Sequence, residues 1–204
     1  MTELSREFGE IDIYLFDQLL KGRISPGMRV LDAGCGGGRN LIYLLRQGYE
    51  VFGVDADAMS VAEVERIASA LAPQFPRNHF RVESIEQMSF PSDFADVVIC
   101  NAVLHFARDD KQFQAMLKGL WRVLKPNGVL FCRLASSIGS EHQIRRVNGR
   151  RFQLADGSER FLVDEEMLTR AAGELGGVMI DPLKTTIVQN ERSMTTWVVR
   201  KSEA

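Results

Sequence analysis

The chain has 204 residues, 45% of them apolar and only six of them proline, which describes one good-sized core in a single domain (1–204). Its formal charge of -2 removes the strong basic excess expected of a dedicated nucleic-acid binder. No uncharged apolar run approaches the roughly 18 residues that span a bilayer, and MTELSREFGE lacks the cationic start and apolar centre of a signal peptide, so a cytoplasmic protein without a membrane partner is expected.

In chain order, IDIYLFDQLLKG (11–22) carries a helical pattern that the SPG of residues 25–27 breaks before a first strand, MRVLDA (28–33). Helix and strand then take turns. RNLIYLLRQG (39–48) has apolar residues at helical spacing, EVFGVDA (50–56) reads as a second strand, and MSVAEVERIASALA (59–72) as a helix closed by Pro73. HFRVES (79–84) is a third strand. The continuous apolar run within ADVVICNAVLHF (95–106) is a fourth, buried on both faces. An amphipathic helix, KQFQAMLKGLWRVL (111–124), ends at KPNG ahead of a fifth strand, VLFCRLA (129–135). This alternation implies a parallel sheet covered by helices.

After Ala135 the rhythm changes. An arginine-rich segment contains Asp156-Gly157, a good hairpin turn, and predicts a small β excursion over 136–161. A helix, DEEMLTRAAGEL (164–175), follows. Two extended runs, VMIDPLKTTIV (178–188) and SMTTWVVR (193–200), flank the polar QNER and suit a closing antiparallel hairpin. Cys35, Cys100 and Cys132 are odd in number and lack CxxC spacing, so they read as reduced thiols; the three histidines lack metal-ligand spacing, and no metal is assigned.

The chemistry concentrates in VLDAGCGGGRN (30–40), an apolar strand leading into four glycines. A dinucleotide fingerprint needs a third small residue where this chain has Arg39, and the carboxylate of Asp32 would repel a pyrophosphate. Asp32 suits an ammonium group instead, and Gly34, Gly36 and Gly38 leave bare backbone for an amino-acid tail and a ribose. Asp55, about 20 residues on, is placed to accept both hydroxyls of an adenosine ribose, or alternatively to cap the next helix, a task for which Asp57 is as well placed.

These residues resemble the class I S-adenosylmethionine-dependent methyltransferases. VLDAGCGGGRN looks like the family's first motif, VDAD its acidic second, RVESIEQMSFPSDFADVVICNAVLHF its third and fourth, and LWRVLKPNGVLF its turn into strand five, so the resemblance runs from about Val30 to Leu134. It implies an α/β fold: a Rossmann-like, seven-stranded, mostly parallel sheet with helices on both faces and a C-terminal antiparallel hairpin. It implies S-adenosyl-L-methionine as cofactor, with Asp32, Ala33, Gly34 and Gly36 at the methionine part, Asp55 and Ala56 at the ribose, Ser84 and Ile85 at adenine, and Asn101 and Ala102 near the sulfonium. Many members have aspartate or asparagine where Ser84 stands, so either Glu86 or a backbone carbonyl takes the adenine amino group or the base is held mainly by stacking. Residues 1–27 would form a helical lid with Tyr14 at the pocket. Arg39 and Asn40 add a narrower likeness to the tellurite-resistance and thiopurine branch, whose acceptors are small and soft.

A sulfonium methyl is already activated, so positioning is the enzyme's main task and a general base is optional. His105 is the base candidate, or else a packing or capping residue, and Asn101 is placed to orient an acceptor. Residues 136–161 form the substrate-side insertion, in which Arg145 and Arg146 either clamp an anionic group or pair on a solvated face; RNA contact is a third reading, without the aromatic interleaving that RNA binding favours. The expectation is methyl transfer to a small molecule. The alternatives are an RNA or protein methyltransferase, or a non-catalytic S-adenosylmethionine-binding domain.

Overall fold

A computed structural model describes residues 2–74, 76–189 and 191–203, with only the backbone of Arg77. Among them, eight strands form one sheet. Five are parallel, in spatial order β5 (Leu124–Ala135), β4 (Ala95–Asn101), β1 (Arg29–Ala33), β2 (Glu50–Asp55) and β3 (Phe80–Val82). The closing strand β11 (Arg192–Lys201) pairs antiparallel with β5, and both β10 (Lys184–Val188) and β9 (Gly177–Met179) pair antiparallel with β11. The apolar run at 178–188 is thus interrupted, and β9 is one strand more than the pattern of seven. Pro182, which has no N–H to give a ladder, marks the interruption, and the carboxylate of Asp181 beside it meets Arg23 at 2.7 Å and Lys21 at 3.1 Å. Asn190, which falls between β10 and β11 in sequence, lies outside the described residues.

Period-two alternation along the central strands divides the core into two halves. Leu31 and Ala33 of β1 face one side with Val98 of β4; Val30 faces the other with Val97 and Ile99. α5 (Asp110–Val123), through Phe113, Leu117 and Leu120, and α6 (Glu165–Glu174), through Met167 and Leu168, cover the first side. α2 (Ile13–Leu20), α3 (Ile42–Arg46) and α4 (Ala58–Leu71) cover the second through Leu15, Leu44, Leu45, Val61 and Val64. A further short helix that the sequence pattern passed over, α1 (Glu3–Phe8), is capped by the Thr2 hydroxyl accepting from Ser5 N–H; its Phe8 stacks on Tyr43 of α3.

The arginine-rich segment forms a separate three-stranded sheet of β6 (Arg145–Asn148), β7 (Arg151–Gln153) and β8 (Glu159–Phe161). The Asp156-Gly157 turn joins β7 to β8, with Gly157 at φ +79° and Ser158 N–H donating to Asp156 Oδ1 at 2.9 Å. Strand order reverses between β1 and β4, so a crevice opens beyond their carboxyl ends.

Candidate functional site

Three strand ends define that crevice. The glycine loop leaves β1 with Gly34 at φ +84°, Gly36 at +50° and Gly38 at +79°, conformations that L side chains rarely adopt. Gly34 has a second reason to be glycine, since a Cβ there would stand 2.3 Å from Val103 Cγ2, whereas one at Gly36 would enter open space. Asp55, at the end of β2, holds the loop: one carboxylate oxygen accepts Gly36 N–H and the other Asp57 N–H, both at 2.9 Å. Asp57 is the cap of α4, accepting from Met59 and Ser60 N–H, which leaves Asp55 directed at the loop.

Asp32 is 1% exposed, and neither carboxylate oxygen has a hydrogen-bond partner. Burial pushes its pKa up to about 7; the Arg39 cation opposes that shift and the Asp55 charge adds to it. Nearby Asn101 leaves its Nδ2 group orphaned while its Oδ1 accepts from Arg39 at 3.3 Å, so Arg39 reaches across the loop. Ala102 follows in the left-handed region at φ +63°, its N–H fixed on Arg133 C=O at 2.7 Å. Gly34, Gly36, Arg39, Asp55, Asn101 and Ala102 line one cavity of about 360 Å³, with exposed Phe106 at its edge.

A second cavity, about 270 Å³, lies on the other side of Ala102. His105, Arg133, Leu154, Arg160, Arg192 and Met194 are among its walls, drawn from β4's exit, β5, the hairpin and β11. His105 is 7% exposed, and its Nδ1 accepts Ala135 N–H at 3.2 Å. Burial first, and the charge of Arg160 second, lower its pKa to about 4. The imidazole is therefore neutral and carries its proton on Nε2.

The expected residues do not all meet. Ala33 is buried in the sheet and Ala56 is exposed beside Asp55. Ile85 is buried in a short 3-10 turn that Ser84 precedes, and Ser84 lines a separate groove with Glu86, whose carboxylate accepts from Gln112 at 2.8 Å. Tyr14 turns to the closing hairpin, its hydroxyl 2.7 Å from Thr186 Oγ1, and borders neither cavity. Arg145 and Arg146 are exposed on β6, the first donating to Gln153 and the second lying over Phe152, away from both cavities. Sequence reasoning passed over Asp12 and Arg133: Asp12 caps α2, its N–H donates to Asn40 Oδ1 at 3.1 Å, and its Oδ2 accepts from Arg133 at 3.2 Å, tying the N-terminal helix to β5. An aspartate two residues before the α2 tyrosine is a cap signal. All three cysteines are free and buried, and among the described residues no cluster of His, Cys, Asp and Glu could hold a metal ion. No described helix is long and apolar enough to cross a membrane.

Residues 31–132, which carry the strands, glycine loop and both carboxylates of this site, match the family described as "Methyltransferase domain". The chain belongs to the S-adenosylmethionine-dependent methyltransferases. Among its relatives, the mitochondrial ubiquinone biosynthesis O-methyltransferase of Schizosaccharomyces pombe is 30% identical over 172 residues, 78% of this chain and 60% of that one. An uncharacterized methyltransferase of Synechocystis is 32% identical over 106 residues, 52% and 46% of the two chains. The chain spans about half the length of the curated relatives it matches. Its fold is similar to that of Burkholderia thailandensis 1,6-didemethyltoxoflavin-N1-methyltransferase, solved with 1,6-didemethyltoxoflavin and S-adenosylhomocysteine, at TM-score 0.73 and 17% identity over 98% of this methyltransferase and 82% of that one.

Proposed function

We propose that this chain transfers a methyl group from S-adenosylmethionine to a small-molecule acceptor. One observation carries the reading: two cavities meet at Ala102, one built from the glycine loop with the carboxylate of Asp55 and one enclosed by the hairpin and β11. The first has the donor set a charged nucleoside needs. The orphaned carboxylate of Asp32 fits an ammonium group, and Asp55 fits a vicinal diol, since each of its oxygens accepts only one backbone N–H and keeps a lone pair for a ribose hydroxyl. Arg39 is positioned for the carboxylate of the same amino-acid tail. Such a cofactor supplies an activated methyl group on a sulfonium.

The chain's own contribution is positioning. Asn101 and the strained Ala102 separate the two cavities, and the acceptor is held on the far side against His105. His105 acts there as a hydrogen-bond donor through Nε2–H, because its other lone pair is engaged by Ala135 and its proton stays in place above about pH 4. A base role for His105 would need the opposite tautomer. The acceptor therefore arrives ionised or intrinsically nucleophilic, and the pH dependence of kcat/KM follows its own ionisation with no limb near 6.5. A limb near 6.5 that vanishes in His105→Asn would restore the base. A volume of about 270 Å³ supports a small acceptor over an RNA or protein chain.

The experiment is calorimetry with S-adenosylhomocysteine on the intact chain and on Asp55→Ala. Losing two charge-assisted ribose contacts should weaken binding by about 100-fold or more. Equal affinity in both proteins would remove the ribose assignment, and absence of heat from the intact chain would remove the cofactor itself.

A further inference from the structure

Four side chains in the second cavity are ionised at neutral pH: Arg133, Arg160 and Arg192 against Asp156. Arg133 is already matched, since its guanidinium donates to the nearly buried carboxylate of Asp12. Arg160 and Arg192 have no such carboxylate bonded to them among the described residues. Arg160 donates to its neighbour's backbone at Glu159 C=O and lies 4.9 Å over the Phe106 ring; Arg192 lines the cavity at the start of β11 with no ion pair among the described residues. Asp156 sits between them electrostatically. Its carboxylate accepts the Ser158 hydroxyl and backbone N–H, and these bonds, followed by the fields of Arg160 and Arg192, hold its pKa below the usual carboxylate range. Two guanidiniums against one carboxylate leave an excess of one positive charge, beside an apolar side of the cavity formed by Leu154, Ala135, Val188 and Met194; His105 and Ser158 add polar groups to the lining.

We infer that the acceptor is an anion, a small apolar body carrying a carboxylate or phosphate that Arg160 of the hairpin and Arg192 of β11 clamp while its reacting atom faces Ala102. This rests on the proposed methyl transfer and assigns the acceptor's class. The two arginines come from elements more than 30 positions apart in sequence, so the clamp forms only when the hairpin lies against β11. Arg145 and Arg146, the arginines of the same insertion that the sequence pointed to, face solvent on β6 and leave this role to Arg160.

The test uses matched probes: benzoate, phenyl phosphate and the neutral isostere benzamide, each titrated by calorimetry with and without saturating S-adenosylhomocysteine. At least one anion should bind about tenfold or more tighter than benzamide, and whichever anion is tighter names the oxyanion. Arg160→Gln and Arg192→Gln should each lower anion affinity about five- to tenfold, leave benzamide unchanged and, for Arg192→Gln, leave S-adenosylhomocysteine binding unchanged. Asp156→Asn, which keeps the turn's acceptor and removes its charge, should tighten the anion several-fold, a gain that no loss of structure produces. Equal binding of benzoate, phenyl phosphate and benzamide to protein that still binds S-adenosylhomocysteine overturns the anion clamp alone. Anion preference without S-adenosylhomocysteine binding overturns the methyl-transfer reading and leaves the clamp standing.

Discussion

At the scale of single residues, Asp32 carries a conflict between stability and binding. Its folded pKa, about 7, stands above the value of roughly 3.9 for a free aspartate, so the folded chain holds a proton between those limits that the unfolded chain has released. The stability it contributes is present below about pH 4 and is lost as pH rises through 7, by on the order of 4 kcal/mol for a shift of three units. Asp32→Asn should therefore raise the melting temperature of the ligand-free protein at pH 8. The same change should weaken S-adenosylhomocysteine, because the ammonium group loses its counter-charge. Calorimetry of the intact chain at pH 7 in buffers of different ionisation enthalpy should show proton release on binding, which Asp32→Asn abolishes. A lower melting temperature for Asp32→Asn at pH 8 would mean that the carboxylate is satisfied in the fold. Asp32 stood out as a candidate in the sequence because a carboxylate at a strand's tip beside bare glycines has few structural uses, and in the fold it is buried without a partner. Arg160 and Arg192 did not stand out, because nothing local distinguishes them from the other arginines of their segments.

At the scale of elements, α5 shows how closely the scaffold is packed behind the crevice. Gly119 lies where a Cβ would come within 2.2 Å of Ile85 C=O, a backbone atom that cannot step aside. Gly119→Ala should push α5 away from the 85–87 turn and cost about 1–3 kcal/mol, read as a lower denaturation midpoint in urea. An unchanged midpoint would show that helix and turn are free to slide. The glycine sits in the middle of a helix that its apolar spacing predicts correctly, so the pattern gives the helix, while the reason for glycine appears only with its neighbour. The same division runs through the chain. Central strands with apolar residues on both faces, α4 with its Asp57 cap and the Asp156-Gly157 turn follow from local rules. The split of 178–188 into β9 and β10 also has a local mark in Pro182, whereas the ion pairs beside it, Asp181 with Arg23 and Lys21, join residues more than 150 positions apart.

At the scale of the whole molecule, the sheet order concentrates the site on one edge. β1, β2 and β4 end at Ala33, Asp55 and Asn101, next to one another in the sheet, and their exits supply the glycine loop, the Asp55 carboxylate and the wall at Ala102. The opposite ends of the same strands and the α6–β9 side have no part in either cavity. A cofactor held at the crevice should thus quiet a discontinuous set of backbone amides. Hydrogen exchange with S-adenosylhomocysteine should slow at residues 34–40, 55–57 and 101–106, the three segments that carry the first cavity's lining, while α6 exchanges at its ligand-free rate. The fastest of these in the free protein should be the glycine loop, since Gly36 N–H is held only by the side chain of Asp55. Slowing confined to residues 84–87 and 108–115, around the groove of Ser84 and Glu86, would instead place the cofactor away from the glycine loop and from the second cavity's mouth. The methyl group would then have no route to Ala102.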